Sequence, residues 1–243
     1  MKPVDTIIKN YSPRYSEDYS GENVPRRTKT ITLSKLVIEC ELEFEDLFCG
    51  KVPKDRKSLV HVVLKRAEEG YLPNHAVANK EQVVEQEMQE LPAETPQGVL
   101  TFYEDEKGLY VKYFDIIGML KERVRQLGLS RQMPGIISAL EGLNIYDAKE
   151  KTWKLYLRRP NGSYIKHDEC EMVAQPITTW RGTLVSVAEC VKPPVRLHFI
   201  IEKKDTVIPP ELFIEILKDC NRLGGLRKQF GRFKWVKMVA TGI

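Results

Sequence analysis

The chain has no stretch near the roughly 18 consecutive apolar residues that span a bilayer, which sets aside a helical membrane protein. Its start, Met-Lys-Pro-Val-Asp-Thr, lacks the apolar core of a signal peptide. Cys40, Cys49, Cys170, Cys190 and Cys220 are an odd number with no close pair, which predicts reduced thiols in a cytoplasm-like compartment. No C-x-x-C or H-x-x-x-H spacing occurs, so His61, His75 and Cys49 read as surface or packed side chains rather than metal ligands. A P-loop, a dinucleotide fingerprint and a nucleophile elbow are all missing, and no cofactor is expected. Nor is there a large excess of one charge: 38 Lys and Arg against 34 Asp and Glu leave a formal net charge of +4. What remains, 243 residues with 42% hydrophobic and 30% charged, is the composition of a globular protein able to bury a proper core.

The small positive excess is concentrated at one end. Residues 221–238 carry Arg222, Arg227, Lys228, Arg232, Lys234 and Lys237, and no acid follows before Ile243. Gly224 and Gly225, with Gly231 beyond, permit positive φ and let backbone N–H groups approach an anion. Arginine forks beside such a turn suit phosphate oxygens, and Phe230, Phe233 and Trp235 place aromatic rings among the charges, a mixture suited to single strands. The competing reading is a Gly-Gly turn into a last strand whose lysines are merely solvated. Phe233 reads as core, while Trp235 is open to either role.

Along the chain, residues 1–27 form a polar arm ending in Arg26 and Arg27, ordered only if it docks. Residues 28–44 read as a strand: Leu36, Ile38, Cys40, Leu42 and Phe44 alternate with Val37, Glu39, Glu41 and Glu43, with a bulge expected near Ser34 and Lys35. Residues 45–100 read as an insertion with helices at 55–69 and 79–90, the second turning Val83, Val84 and Met88 inward. A hairpin is expected from 99–103 to 108–113, then a helix over 115–127 capped by Asp115, with Lys121, Arg123 and Arg125 facing water. Trp153, Leu155 and Leu157 predict a strand over 152–158, followed by the turn Pro160-Asn161-Gly162-Ser163 with Arg158 and Arg159 exposed beside it. Residues 175–194 read as a long connection over the sheet. A strand over 195–201, a helix over 210–222 opened by Pro209-Pro210 and a strand over 231–239 complete the chain. The class is therefore α+β, and the order β-α-β-β-α-β is that of ferredoxin-like and RNA-recognition domains, one domain over 28–243.

Leu223-Gly224-Gly225-Leu226-Arg227-Lys228-Gln229-Phe230-Gly231-Arg232-Phe233 resembles the carboxy-terminal glycine-rich motif of the repeat-associated mysterious proteins, the RAMP superfamily of CRISPR effector subunits. Ile116-Ile117-Gly118-Met119-Leu120-Lys121-Glu122-Arg123 is similar to the segment opening the first helix of that superfamily's backbone subunits, without the usual proline and serines. The combined pattern is also similar to uncharacterised bacteriophage proteins, which puts the cytoplasm expected here in a bacterial or phage-infected cell. The resemblance implies binding of RNA or another single-stranded nucleic acid, as a homo-oligomer or a subunit of a larger assembly. Residue by residue, Arg222, Arg227, Lys228, Arg232 and Lys234 are expected at phosphates, Gly224 and Gly225 at the backbone approach, and Trp235 at a base.

Some members of the superfamily cut RNA with a histidine near the first helix or with a loop aspartate. No histidine lies in the matching segment here, and His167 and His198 have no partner that spacing identifies, so a binding protein is expected rather than an enzyme. The alternative is a phage-encoded inhibitor or sequestering protein for a host protein or small nucleotide, with Glu39, Glu41, Glu43, Glu45 and Asp46 as an acidic docking patch.

Overall fold

The computed structural model describes residues 7–9, 35–68, 80–179, 182–204, 207–224 and 230–242. The chain is α+β, with mostly antiparallel sheets. The main sheet has five strands in the order Ile7–Lys9, Phe233–Gly242, Leu36–Phe44, Val195–Lys203 and Asn144–Asp147, antiparallel throughout except for the first pair. Leu36–Phe44 is the central strand, paired on both edges, and its odd-even pattern gives it one fully buried face. Helices Phe114–Gln126 and Pro210–Lys218 supply Ile116, Ile117, Leu120 and Val124, and Phe213, Ile216 and Leu217, to the core under that face. Each such side chain contributes about 1.5–3 kcal/mol by leaving water. The arm takes part through Ile7–Lys9, whose Ile7 lies opposite Val239; residues 28–34, with the bulge expected there, lie outside the described residues.

Beyond Ile7–Lys9, the strands and the two core helices of this sheet follow one another in the chain as Leu36–Phe44, Phe114–Gln126, Asn144–Asp147, Val195–Lys203, Pro210–Lys218 and Phe233–Gly242. Its short strand is Asn144–Asp147, not 152–158. Lys154–Tyr156 instead joins Tyr103–Asp105 and Gly108–Lys112 in a separate three-stranded sheet, which turns Trp153 out to 43% exposure. The long connection expected over 175–194 is instead mostly a hairpin: Cys170–Thr179 and Gly182–Val191 pair along their whole length, and Leu100–Thr101, Val52–Pro53 and Phe48–Cys49 extend it into a third sheet. Leu100–Thr101 thereby leaves the hairpin expected at 99–113, whose paired arms are Tyr103–Asp105 and Gly108–Lys112. The insertion helices are Arg56–Glu68, where Asp55 caps the Ser58 N–H at 2.7 Å, and Lys80–Gln89. With Val52, Leu91, Tyr103, Tyr110 and Tyr156 they enclose a second, smaller core.

The thiol reading needs correction. Cys49 and Cys190 sit opposite each other on neighbouring strands, Cα atoms 4.0 Å apart, and form a disulfide. The adjacent Gly50 N–H donates to the Glu189 carbonyl at 2.8 Å, so the cysteines occupy the closely spaced, non-hydrogen-bonded position of the ladder. A sequence separation of 141 hides that adjacency. Cys40, Cys170 and Cys220 are free, and burial raises each thiol, to about 12 at Cys170 and Cys220.

The open face of the main sheet is covered by cross-strand ion pairs. Glu39 meets Lys237 and His198, both at 2.7 Å; Glu43 meets Arg196 at 2.7 Å and Lys234 at 2.9 Å; Glu41 meets Arg196 at 3.1 Å. Hydrogen bonds from Lys237 hold the Glu39 carboxyl, and from Lys234 the Glu43 carboxyl, below the ordinary value of 4.5, against an opposing push from burial. Lys35, then Asn144 and Tyr146, hold Glu202 down to about 2. A depressed folded pKa gives stability that is complete above the unfolded value and is lost as pH falls through the folded one. The melting temperature is therefore expected to be flat above about pH 5 and to fall between roughly pH 4.5 and pH 2, with a shallower fall in Glu202→Gln. An acid transition of equal steepness in that variant excludes this origin for it.

Candidate nucleic-acid interface

The basic tail leaves the core through a narrow neck. Leu223 N–H donates to the Gly231 carbonyl at 2.9 Å and Phe233 N–H to the Asn221 carbonyl at 3.0 Å, which places Arg222 directly opposite Arg232. The neck is tied to the segment after the central strand: Gly231 N–H donates to the Leu47 carbonyl at 2.9 Å, Glu45 N–H to the Arg232 carbonyl at 2.8 Å, and Arg232 N–H to Asp46 Oδ1 at 2.8 Å.

The neck explains two glycines without a ligand. At Gly231, with φ +76°, a Cβ would lie 1.9 Å from the Leu223 carbonyl oxygen. At Gly224, with φ +99°, it would lie 2.6 Å from the Phe48 ring and 2.9 Å from the Cys49 carbonyl oxygen. Gly224 is thus required by the approach of the protein's own chain, which replaces the expectation that it opens backbone to an anion. Gly225, Arg227 and Lys228 lie outside the described residues.

The remaining expected site residues do not converge. Arg232 is mostly exposed, with its Nε 3.4 Å from Glu45. Lys234 stands on the open sheet face against Glu43. Trp235 faces the other way, opposite Leu42, its ring centroid 5.2 Å from Phe233 and 6.4 Å from Phe199, packed on the main core. Its indole is therefore committed to packing and is not free to stack a base from the open face. An irregularity between Trp235 and Lys237 shifts the register, so that Lys237 shares the open face with Lys234 despite odd spacing.

Arg222 lines a cleft of about 880 Å³ between the ends of the two core helices. Met119, Glu122, Arg123 and Gln126 form one wall, and Lys218 to Arg222 the other. Arg123 Nη2 reaches Asp219 at 2.9 Å, while Arg123 Nε is buried and makes no hydrogen bond. Both walls come from helix C-termini, whose exposed carbonyls favour cations, and Arg123 and Lys218 supply them. Three bases face two acids there, and the buried Cys220 thiol stays protonated.

Several charged residues are placed differently from the sequence reading. Asp115 is not the cap of its helix, which starts after Tyr113; it is buried and paired with Lys51 at 2.5 Å. Lys121 is buried against Glu141 at 2.5 Å, and Arg123 is paired, so neither is a merely solvated base. Arg158 is buried in a two-pronged pair with Asp147 at 2.8 and 2.9 Å, and Arg159 is held by Glu169 and by the carbonyls of Lys192 and Pro194. The acidic patch is not free either: Glu39, Glu41, Glu43 and Glu45 all pair within the chain, and Asp46 accepts the Arg232 N–H. His198 is in that network, and His167 meets the buried Glu189 at 2.8 Å, with Thr95 at 3.2 Å. No spacing rule exposes these pairs, because most join residues tens of positions apart.

No protein-family model matches the chain, and no curated protein matches it. One likeness is to a solved structure. It is to a chain in the cryo-EM structure of the Type III-B Cmr-beta bound to cognate target RNA, with a TM-score of 0.44 and 11% identity, over 86% of this chain and 61% of that one. The protein thus spans about three-fifths of that chain's length. That likeness lends no support to the resemblance to bacteriophage proteins. Among the described residues, no helix is long and apolar enough to cross a membrane, and no group of His, Cys, Asp and Glu is placed to hold a metal.

Proposed function

We propose that the chain binds single-stranded nucleic acid, RNA or DNA, in the cleft between its two core helices and along the basic loop that continues from it, as a homo-oligomer or as a subunit of a larger assembly. The observation that carries this reading is the 880 Å³ cleft lined by Arg123, Lys218 and Arg222, next in sequence to the glycine turn and to Arg227 and Lys228. Its volume lies within the ~300–1,000 Å³ of ordinary ligand pockets, enough for a nucleotide unit. The resemblance of the tail to the RAMP glycine-rich motif supports the same ligand. In this reading the contacts are to phosphates, are blind to base sequence, and involve no catalysis.

Fluorescence anisotropy with labelled single-stranded RNA and DNA tests it. Affinity is expected to fall steeply between about 50 and 200 mM salt, and Lys218→Ala with Arg222→Ala to lower the slope of log affinity against log salt by about 1.4. Absence of binding by the unsubstituted protein at low salt removes the reading and leaves a sequestering protein with a protein partner. Cleavage of the RNA with magnesium or manganese present overturns the non-catalytic part.

A further inference from the structure

A second cluster of bases lies on the open, ion-paired face of the main sheet. It surrounds a cavity of about 170 Å³ lined by Lys149, Arg158, Arg159, Arg196 and His198, with Glu41 the carboxylate among its lining residues and Pro160 and Gly162 at its turn. Three of these side chains are fixed by carboxylates. Asp147, fully buried, takes both Nη atoms of Arg158; Glu169 takes Arg159; Glu41 and Glu43 take the Nη1 and Nε of Arg196. These pairs hold the guanidinium groups in place without using every donor. Arg158, itself 6% exposed, keeps a buried Nε that makes no hydrogen bond. Lys149 is exposed and has no carboxylate within ion-pair distance among the described residues; its ammonium stands 5.2 Å from the Tyr164 ring. Gly162, with φ +86°, has nothing within 4 Å of where a Cβ would sit, so the turn leaves open space beside the bases.

We propose that this cavity binds a small phosphate-bearing anion: pyrophosphate, or the terminal phosphate of a nucleotide or oligonucleotide. Forked, immobilised guanidinium groups match phosphate oxygens, and Lys149 adds a charge that no carboxylate among the described residues neutralises. The volume is below the ~300 Å³ at which pockets begin to hold drug-sized ligands, so the occupant is the phosphate group, not a whole nucleotide. The site does not depend on the proposed strand-binding cleft, since the two share no residue.

Titration calorimetry with pyrophosphate at constant ionic strength is the direct test, using the full chain and two variants. The unsubstituted protein is expected to bind saturably, Lys149→Glu to bind at least about tenfold more weakly, and Lys57→Glu, on the first insertion helix, to bind as the unsubstituted protein does. Competition then separates the sources. Displacement of pyrophosphate by a nucleoside diphosphate or by 5′-phosphorylated RNA, with 5′-hydroxyl RNA of the same sequence much weaker, supports a terminal phosphate; displacement by neither supports the free anion. No saturable binding, equal weakening by Lys57→Glu, or equal competition by 5′-hydroxyl RNA overturns the proposal.

Discussion

Glu87→Ala is expected to cost about 3–5 kcal/mol of folding stability, read from urea unfolding. Glu87 lies on the second insertion helix, 4% exposed, in the smaller core. Arg66 Nη1 reaches its two oxygens at 2.6 and 2.8 Å, the Tyr103 hydroxyl donates to it at 2.7 Å, and Lys112 lies at 3.2 Å. Burial pushes this carboxyl up, but Arg66 and Lys112, helped by the Tyr103 hydroxyl, more than offset it, and the pKa stays below the ordinary glutamate value. Removing the carboxylate takes away the acceptor of the buried Arg66 guanidinium, which keeps the Phe114 ring 4.3 Å from its carbon, the Tyr103 hydroxyl at 3.0 Å and the more distant charge of Asp115. Lys112 is less exposed to the loss because Glu90 also holds it, at 2.7 Å. Glu87→Gln, which keeps an acceptor for Tyr103 but not the charge, is expected to fall between the two. A cost under about 1 kcal/mol for the alanine variant contradicts this account of the small core, since an exposed pair is worth no more.

The same residue shows where sequence reasoning stops. In the helix over 80–89 the inward residues Val83, Val84 and Met88 follow from the apolar spacing, and all three pack inward. Glu87 lies on the same side, but a glutamate is assigned to solvent by default, and only Arg66 and Lys112, 21 and 25 positions away, reverse that. Strands with one dry and one wet face, Leu36–Phe44 and Val195–Lys203, are legible because alternation records both environments. Asn144–Asp147 is not legible: four residues with two apolar side chains are too short to show a period, while the stronger alternation at 153–157 belongs to another sheet. The candidate site divides in the same way. Its charge and its turn can be read from the tail, but the cleft cannot, because Arg123 and Lys218 reach it from helices 95 residues apart. Trp235 was undecidable at that level, since the register shift beside it determines which face it takes.

Gly231→Ala is expected to cost about 3–4 kcal/mol of folding stability, through loss of the neck. Two effects add. A left-handed backbone at φ +76° costs an alanine roughly 1–2 kcal/mol. The new methyl also meets the Leu223 carbonyl oxygen at 1.9 Å, a clash with backbone that no side-chain rotation relieves. Relief requires the two arms of the neck to part, breaking the Leu223-to-Gly231 and Gly231-to-Leu47 hydrogen bonds, each worth about 1 kcal/mol net. Gly162→Ala isolates the first effect: its φ is +86°, yet nothing stands within 4 Å, so a loss of only about 1–2 kcal/mol is expected. Denaturant unfolding of the two variants side by side measures the difference, which is the contribution of the neck. Equal losses in both mean that the arms tolerate the methyl group, and the neck then adds no stability of its own.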